Sequence, residues 1–141
     1  MKSFFVAGTD TGVGKTVVTG LCARYLSDCG VRVVTQKWVQ TGSRLQCDLR
    51  THDLFLPSAA GRLSAADDDR GPYLFPEPCS PHLAARRAQR RIRTARILRA
   101  FKRLADRTDI VIVEGSGGLL VPLNGRLLMI DLVWRMRLPV L

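Results

Sequence analysis

Near its N-terminus the chain reads Gly8-Thr9-Asp10-Thr11-Gly12-Val13-Gly14-Lys15-Thr16, which matches the pattern G-x-x-x-x-G-K-[ST] in full. A short apolar run, Ser3 to Ala7, precedes it, and a helical pattern from Lys15 to Ser27 follows it. A strand, a glycine-rich loop and a helix in this order predict a phosphate-binding loop, since the glycines let successive backbone N–H groups point at phosphate oxygens. The residues predicted to bind a nucleoside triphosphate are Thr11, Gly12, Val13, Gly14, Lys15 and Thr16.

Two side chains of this loop and one distant carboxylate are predicted to balance the charge of the phosphates. Lys15 supplies a point charge to the β and γ phosphates, and the Thr16 hydroxyl ligates magnesium. The apolar run Asp109 to Val113 predicts a strand that ends at Glu114, a position where nucleotide-binding sheets place an acid beside the metal. Glu114 is therefore the first candidate for a magnesium acid, with a carboxylate that caps the following turn as the alternative.

The rest of the chain alternates apolar strands with helices and predicts an α/β fold. Gly30 ends the first helix, and the β-branched run Val31 to Val34 predicts a second buried strand. Leu127 to Met136 is predicted as a helix, and Leu138 to Leu141 opens a further strand. Such strands joined by helices are typical of a three-layer α/β/α parallel sheet, the P-loop containing nucleoside triphosphate hydrolase fold, in a single domain over residues 1–141.

The segments between these strands carry two further candidate site residues. Thr51 to Ala60 is predicted as a helix, and Gly71 to Pro81 as an extended active-site loop. Lys37 follows the second predicted strand, so its ammonium group is expected at the same edge of the sheet as the phosphate loop. Asp53 is a second candidate for a magnesium acid, with an ordinary aspartate near a helix N-terminus as the alternative.

The chain carries a formal net charge of +10, and most of it lies between Arg86 and Arg107, where nine arginines and one lysine face the single acid Asp106. Such a segment would suit a nucleic acid or an acidic membrane surface. The preferred interpretation is one long helix, Ala84 to Ala105, with a solvated basic face, because its apolar residues recur at helical spacing. No apolar run is long enough for a membrane-spanning helix or a signal peptide, so a cytoplasmic protein is expected.

Several segments, in order along the chain, resemble the ATP-dependent dethiobiotin synthetases of biotin synthesis. After the phosphate loop, Gln36 to Gly42 stands where that family has K-P-V-x-[ST]-G, and Asp53 follows at a family-like spacing. Tyr73 to His82 resembles the family pattern Y-x-F-x-x-P-x-S-P-H. Val113 to Gly118 resembles V-E-G-A-G-G, and Val121 to Leu123 matches the V-P-L that follows it. The resemblance covers the whole chain.

The resemblance implies a reaction in three steps. Carbon dioxide joins 7,8-diaminononanoate as a carbamate, ATP phosphorylates the carbamate, and the second amine closes a ureido ring as phosphate leaves. The family implies that Thr16, Asp53 and Glu114 surround Mg²⁺, and that Lys37 acts as a catalytic cation between the two approaching anions. The substrate contacts that it implies are the hydroxyls of Thr11 and Thr41, toward the carbamate or the transferred phosphoryl group, and backbone N–H groups near Gly117 and Gly118, toward the diamine.

The chain also departs from the family pattern. Trp38 stands where proline is usual, and the segment Arg86 to Arg107 is richer in arginine than the family leads us to expect. The chain is shorter than members of the family. We therefore expect the C-terminal part of the domain to be missing, together with most of the adenine pocket and the substrate contacts that a homodimer makes across its interface.

Two other functions are compatible with the sequence. A partitioning-type ATPase would be a switch that binds nucleic acid, and the basic segment would suit it, but such loops carry an extra lysine at the position of Asp10. An inactive truncated homologue would bind nucleotide without turnover, and the sequence by itself does not separate it from an active enzyme. Amide-forming ligases share the loop but bring a glutamine-hydrolysing domain, for which this chain has no room.

Overall fold

The computed structural model describes residues 3–57 and 68–141 of the chain. Within these residues, strands and helices alternate along most of the sequence. None of the described helices is long and apolar enough to cross a membrane. In chain order the elements are β1 (Phe4–Val6), α1 (Lys15–Asp28), β2 (Val33–Lys37), β3 (Val39–Gln40), α2 (Cys47–Phe55), β4 (Tyr73–Leu74), α3 (Pro81–Arg87), α4 (Thr94–Ala105), β5 (Ile110–Glu114), β6 (Pro122–Asn124), β7 (Leu127–Leu128) and α5 (Met129–Arg135).

The central sheet is parallel, with the strand order β1-β5-β2. The middle strand β5 pairs with β1 through Val113 opposite Phe5, and with β2 through Glu114 opposite Lys37. At the other edge of β1, Val140 forms a parallel bridge to Phe5, so the last residues continue the sheet as the sequence predicted. Because the strands are parallel, the ends of β1, β2 and β5 and the loops that follow them meet at one edge of the sheet.

Helices cover both faces of this sheet. Successive side chains of a strand point to opposite faces, and Ile110 and Ile112 of β5 pack in a cluster with residues of α1. Val111 and Val113 belong instead to a larger cluster that includes residues of α3, α4 and α5. All residues of β5 are buried, which accounts for its continuous apolar run. The predicted three-layer α/β/α arrangement with a parallel sheet is confirmed.

The prediction of one long basic helix from Ala84 to Ala105 is wrong, because α3 and α4 are separate helices. The chain leaves α3 through Gln89, whose φ of +52° is in the left-handed region. The backbone N–H of Arg90 closes this turn on the Ala85 carbonyl oxygen at 2.8 Å, a bond typical of helix C-termini. Between the helices Ile92 is buried, and the Arg93 N–H donates to the Tyr73 hydroxyl at 2.8 Å. These contacts across the core favour the break.

The other element boundaries shift by a few residues. The predicted strand at residues 31–34 begins at Val33 and continues to Lys37. The predicted helix Thr51 to Ala60 begins earlier, at Cys47, and ends at Phe55, while residues 58–60 lie outside the described part of the chain. The predicted loop Gly71 to Pro81 contains β4, which pairs with β3. The predicted helix at residues 127–136 begins at Met129, after a short strand.

Candidate active site

The loop between β1 and α1 has the backbone curvature that its glycines predict. Gly12 and Gly14 have φ angles of +77° and +99°, which residues with a Cβ rarely adopt. Lys15 begins α1 and is buried, and its Nζ donates a hydrogen bond to the Asp10 carbonyl oxygen. Burial lowers the pKa of Lys15, and the positive charge of the nearby Lys37 lowers it further. An anion bound beside these two lysines would relieve their repulsion.

The loop lines an open cavity of about 410 Å³ at the carboxyl ends of β2 and β5. Its other walls come from the residues just after β2, from the first turn of α2 and from the turn after β5. The fold thus brings together segments that are far apart in the sequence. The predicted site residues that line this cavity are Thr11, Gly12, Gly14, Lys15, Thr16, Lys37, Thr41, Glu114 and Gly117.

Lys37 is held at the centre of a buried charge cluster. It is the last residue of β2 and lies opposite Glu114, the last residue of β5. Its Nζ lies 2.7 Å from Glu114 Oε1 and 2.7 Å from Asp48 Oδ2, and it donates to the Gly115 carbonyl oxygen at 2.9 Å. The side chains of Lys37 and Glu114 are 5% and 1% exposed, so this ion pair is shielded from water. Lys37 therefore lies at the end of a strand, as predicted, and is held there by two ion pairs.

Glu114 accepts hydrogen bonds on both of its carboxylate oxygens. Oε1 accepts from Lys37 Nζ and, at 3.0 Å, from the Thr16 hydroxyl, and Oε2 lies 2.7 Å from His52 Nε2. Burial raises the pKa of Glu114, but the hydrogen bond from His52 and the charge of Lys37 outweigh burial and lower it to about 2. At neutral pH the site therefore contains an ionised carboxylate next to the hydroxyl of the phosphate loop.

The structure places Asp48, and not Asp53, beside this cluster. Asp48 lies in the first turn of α2 and lines the cavity. Asp53 lies at the other end of α2, where its two carboxylate oxygens accept hydrogen bonds at 2.7 and 3.1 Å from the guanidinium group of the buried Arg70. Arg70 also donates to the Thr35 hydroxyl, within the core. Of these two acids of α2, Asp48 lines the cavity, whereas Asp53 is paired with Arg70.

Two residues that the sequence reasoning missed, Asp48 and His52, share one face of α2. They are four residues apart, a spacing that puts side chains on the same side of a helix. Asp48 contacts Lys37, and the fully buried His52 contacts Glu114. The signal was the spacing D-x-x-x-H, and it was hidden because the predicted helix began at Thr51, after Asp48.

The residues predicted to contact substrate lie at a second, adjoining cavity of about 770 Å³. Thr11, Thr41 and Gly117 line both cavities, whereas Gly118 lines only this one. A Cβ on Gly118 would lie 3.1 Å from the Thr9 carbonyl oxygen, which indicates close approach of the two loops there. Val13 is 52% exposed and is not among the residues that line these two cavities.

The donor set of the first cavity fits a magnesium ion that arrives with a nucleotide. Among the described residues, no group of three or more His, Cys, Asp and Glu side chains forms a complete metal site. The Thr16 hydroxyl and the carboxylates of Asp48 and Glu114 are hard oxygen donors that converge on Lys37 and the phosphate loop. Magnesium in nucleotide sites is held by one or two carboxylates together with phosphate oxygens, so this partial set suits it.

Comparison with known proteins agrees with the motifs. A family model described as an AAA domain matches residues 2–141. ATP-dependent dethiobiotin synthetase BioD 2 of Pasteurella multocida is 40% identical over 144 residues, which cover 99% of this chain and 66% of that relative. ATP-dependent dethiobiotin synthetase BioD of Chlorobaculum tepidum is 46% identical over 131 residues, which cover 91% of this chain and 54% of the relative.

A third relative extends the match along the entire chain. ATP-dependent dethiobiotin synthetase BioD of Anaeromyxobacter dehalogenans is 41% identical over 147 residues, which cover 100% of this chain and 62% of the relative. The chain thus spans between about half and two thirds of the length of these curated relatives. The family resemblance indicated by the sequence motifs is confirmed.

Proposed function

We propose that this chain, which belongs to the AAA domain family whose model matches residues 2–141, takes part in dethiobiotin synthesis in the biotin pathway. The proposal is supported by its curated relatives, which are ATP-dependent dethiobiotin synthetases. The substrates would be ATP, CO₂ and 7,8-diaminononanoate. The observation that carries this proposal is the ion-pair group formed by the buried Lys37 and Glu114 with the partly buried Asp48, beside Lys15 and Thr16.

The chemistry begins with a problem of charge. A carbamate oxygen attacks the γ phosphorus of ATP and ADP leaves, so two anions must approach in line. Lys15 and Lys37 line the same cavity. Lys15 would bind the β and γ phosphates, and the ammonium group of Lys37 would hold the transferred phosphoryl group. Both lysines are buried, so their charges act on the anions with little screening by water.

The proposed metal residues are Thr16, Asp48 and Glu114. Magnesium bound there would neutralise charge on the phosphates as the phosphoryl group is transferred. Glu114 has a pKa of about 2 and is ionised at neutral pH, as a metal ligand requires. Asp48 takes the place that the sequence reasoning assigned to Asp53.

The second cavity is the proposed site of the diamine. Thr11 and Thr41 line both cavities, and their hydroxyls would hydrogen-bond the carbamate or the transferred phosphoryl group. Gly117 and Gly118 line the same space, and their backbone N–H groups would orient the substrate. In the final step the second amine attacks the carbonyl carbon, phosphate leaves, and the ureido ring closes. A homodimer is part of the proposal, since the family makes substrate contacts across one.

The experiment is phosphate release from ATP with and without 7,8-diaminononanoate and bicarbonate. We expect release that requires both compounds together, and Lys37→Met to lower it by about a hundredfold or more. Lys102→Met, which removes an exposed lysine of α4, is the matched control and leaves the rate unchanged.

Two results would point to the other functions. Phosphate release that DNA stimulates and the diamine does not would identify a nucleic-acid-linked ATPase switch. The absence of turnover by wild-type protein would identify an inactive homologue that at most binds nucleotide.

A further inference from the structure

We propose that His52 is a positioning residue, which holds the Glu114 carboxylate so that one of its oxygens faces Thr16 and the proposed metal site. The inference rests on the proposed function, because it concerns the magnesium that accompanies the nucleotide. His52 does not line the cavity, so it would act on the site only through the Glu114 side chain and would not contact the substrate itself.

The two oxygens of Glu114 have separate partners. Oε1 accepts hydrogen bonds from Thr16 Oγ1 and Lys37 Nζ, on the side of the cavity. Oε2 lies 2.7 Å from His52 Nε2. A carboxylate held at both oxygens cannot rotate about its last torsion without losing one set of bonds. His52 therefore fixes which oxygen is presented to the phosphate loop.

Burial of the polar His52 side chain costs free energy, and its hydrogen bond to Glu114 offsets that cost. His52 is 0% exposed, and among the described residues its Nδ1 has no hydrogen-bond partner. Since an ionised carboxylate only accepts, Nε2 is assigned as the donor. A leucine would fill a similar space without any unpaired nitrogen. The presence of histidine is therefore explained by the hydrogen bond and not by packing.

The helix that carries His52 links both carboxylates to Lys37. Asp48 and His52 lie one turn apart on α2, and they contact Lys37 and Glu114 respectively. Lys37 in turn bridges the two carboxylates at 2.7 Å each. Loss of the His52 contact is expected to loosen one side of this network while leaving Asp48 and the phosphate loop in place. Residues that orient metal ligands typically change metal affinity by about ten- to a hundredfold when they are removed.

The test measures binding on the full chain by calorimetry, with ATP titrated at a series of Mg²⁺ concentrations and also in EDTA. We expect His52→Leu to raise the Mg²⁺ concentration needed for half-maximal binding by about tenfold or more, and to leave ATP binding in EDTA unchanged. His52→Gln keeps an N–H donor near the position of Nε2, so it should restore most of the Mg²⁺ dependence. Electron paramagnetic resonance of Mn²⁺, recorded with the same variants, gives a second measure of metal binding.

Leu49→Ala is the matched control, because Leu49 is fully buried on the same helix. It should lower stability without moving the Mg²⁺ requirement. A wild-type Mg²⁺ requirement in His52→Leu would overturn the inference, as would a His52→Gln variant no better than His52→Leu, or an equal shift in Leu49→Ala. Failure of the wild-type chain to bind Mg-ATP is a separate outcome, which would overturn the proposed function and this inference with it.

Discussion

Among single residues, Glu114 contacts three polar side chains of the site, namely Thr16, Lys37 and His52. It is a carboxylate with 1% exposure, and burial alone would raise its pKa, yet His52 and Lys37 lower that pKa to about 2. The unfolded chain, in which Glu114 has its ordinary pKa of 4.5, therefore binds more protons than the folded chain between these two values. Stability must fall as the pH is lowered through this window.

In metal-free protein we expect Glu114 to contribute about 3 kcal/mol to the free energy of unfolding above about pH 5, and to lose this contribution as the pH falls toward 2. Urea unfolding in EDTA between about pH 3 and pH 6 measures the slope. Glu114→Gln should flatten it, whereas Glu77→Gln, which removes a more exposed ion pair with Arg87, should change it little. Equal slopes in wild type and Glu114→Gln would contradict the assignment.

At the scale of elements, the break between α3 and α4 is the largest difference from the predicted fold. Gln89 has a φ of +52° there, and a residue with a Cβ is disfavoured in that conformation by about 1 kcal/mol. Gln89→Gly should therefore raise the free energy of unfolding by about 0.5 kcal/mol. Arg99→Gly, in the exposed middle of α4, should lower it by about 1 kcal/mol. If a single helix were present, both substitutions would be destabilising in urea unfolding.

At the scale of the whole molecule, the site depends on segments that are distant in the sequence. The phosphate loop, the end of β2, α2 and the turn after β5 all line one cavity, so a bound nucleotide should stabilise them together. At about a hundred times its dissociation constant, Mg-ATP should add about 2.7 kcal/mol to the free energy of unfolding. Lys15→Met should remove most of this gain, and Mg²⁺ alone should not produce it. An unfolding transition that Mg-ATP does not move would show that the chain does not bind nucleotide.

The sequence alone determined the phosphate loop, the parallel α/β fold and the strand-end positions of Lys37 and Glu114. These features depend on local properties: the glycines set the backbone of the loop, and continuous apolar runs mark strands that are buried on both faces. The alternation of strand and helix then brings the strand ends to one edge. The family could be recognised from short segments because each motif is a local pattern that can be read independently of the rest of the chain.

Only the tertiary structure shows which acid of α2 lies beside Lys37, that His52 contacts Glu114, and that the basic segment is divided into two helices. Asp48 and Asp53 are five residues apart, so on a helix they point about 140° away from each other, and only one of them can face Lys37. The direction in which α2 packs makes that residue Asp48 and pairs Asp53 with Arg70. Such choices depend on contacts between elements distant in the chain, which periodicity within one element does not encode.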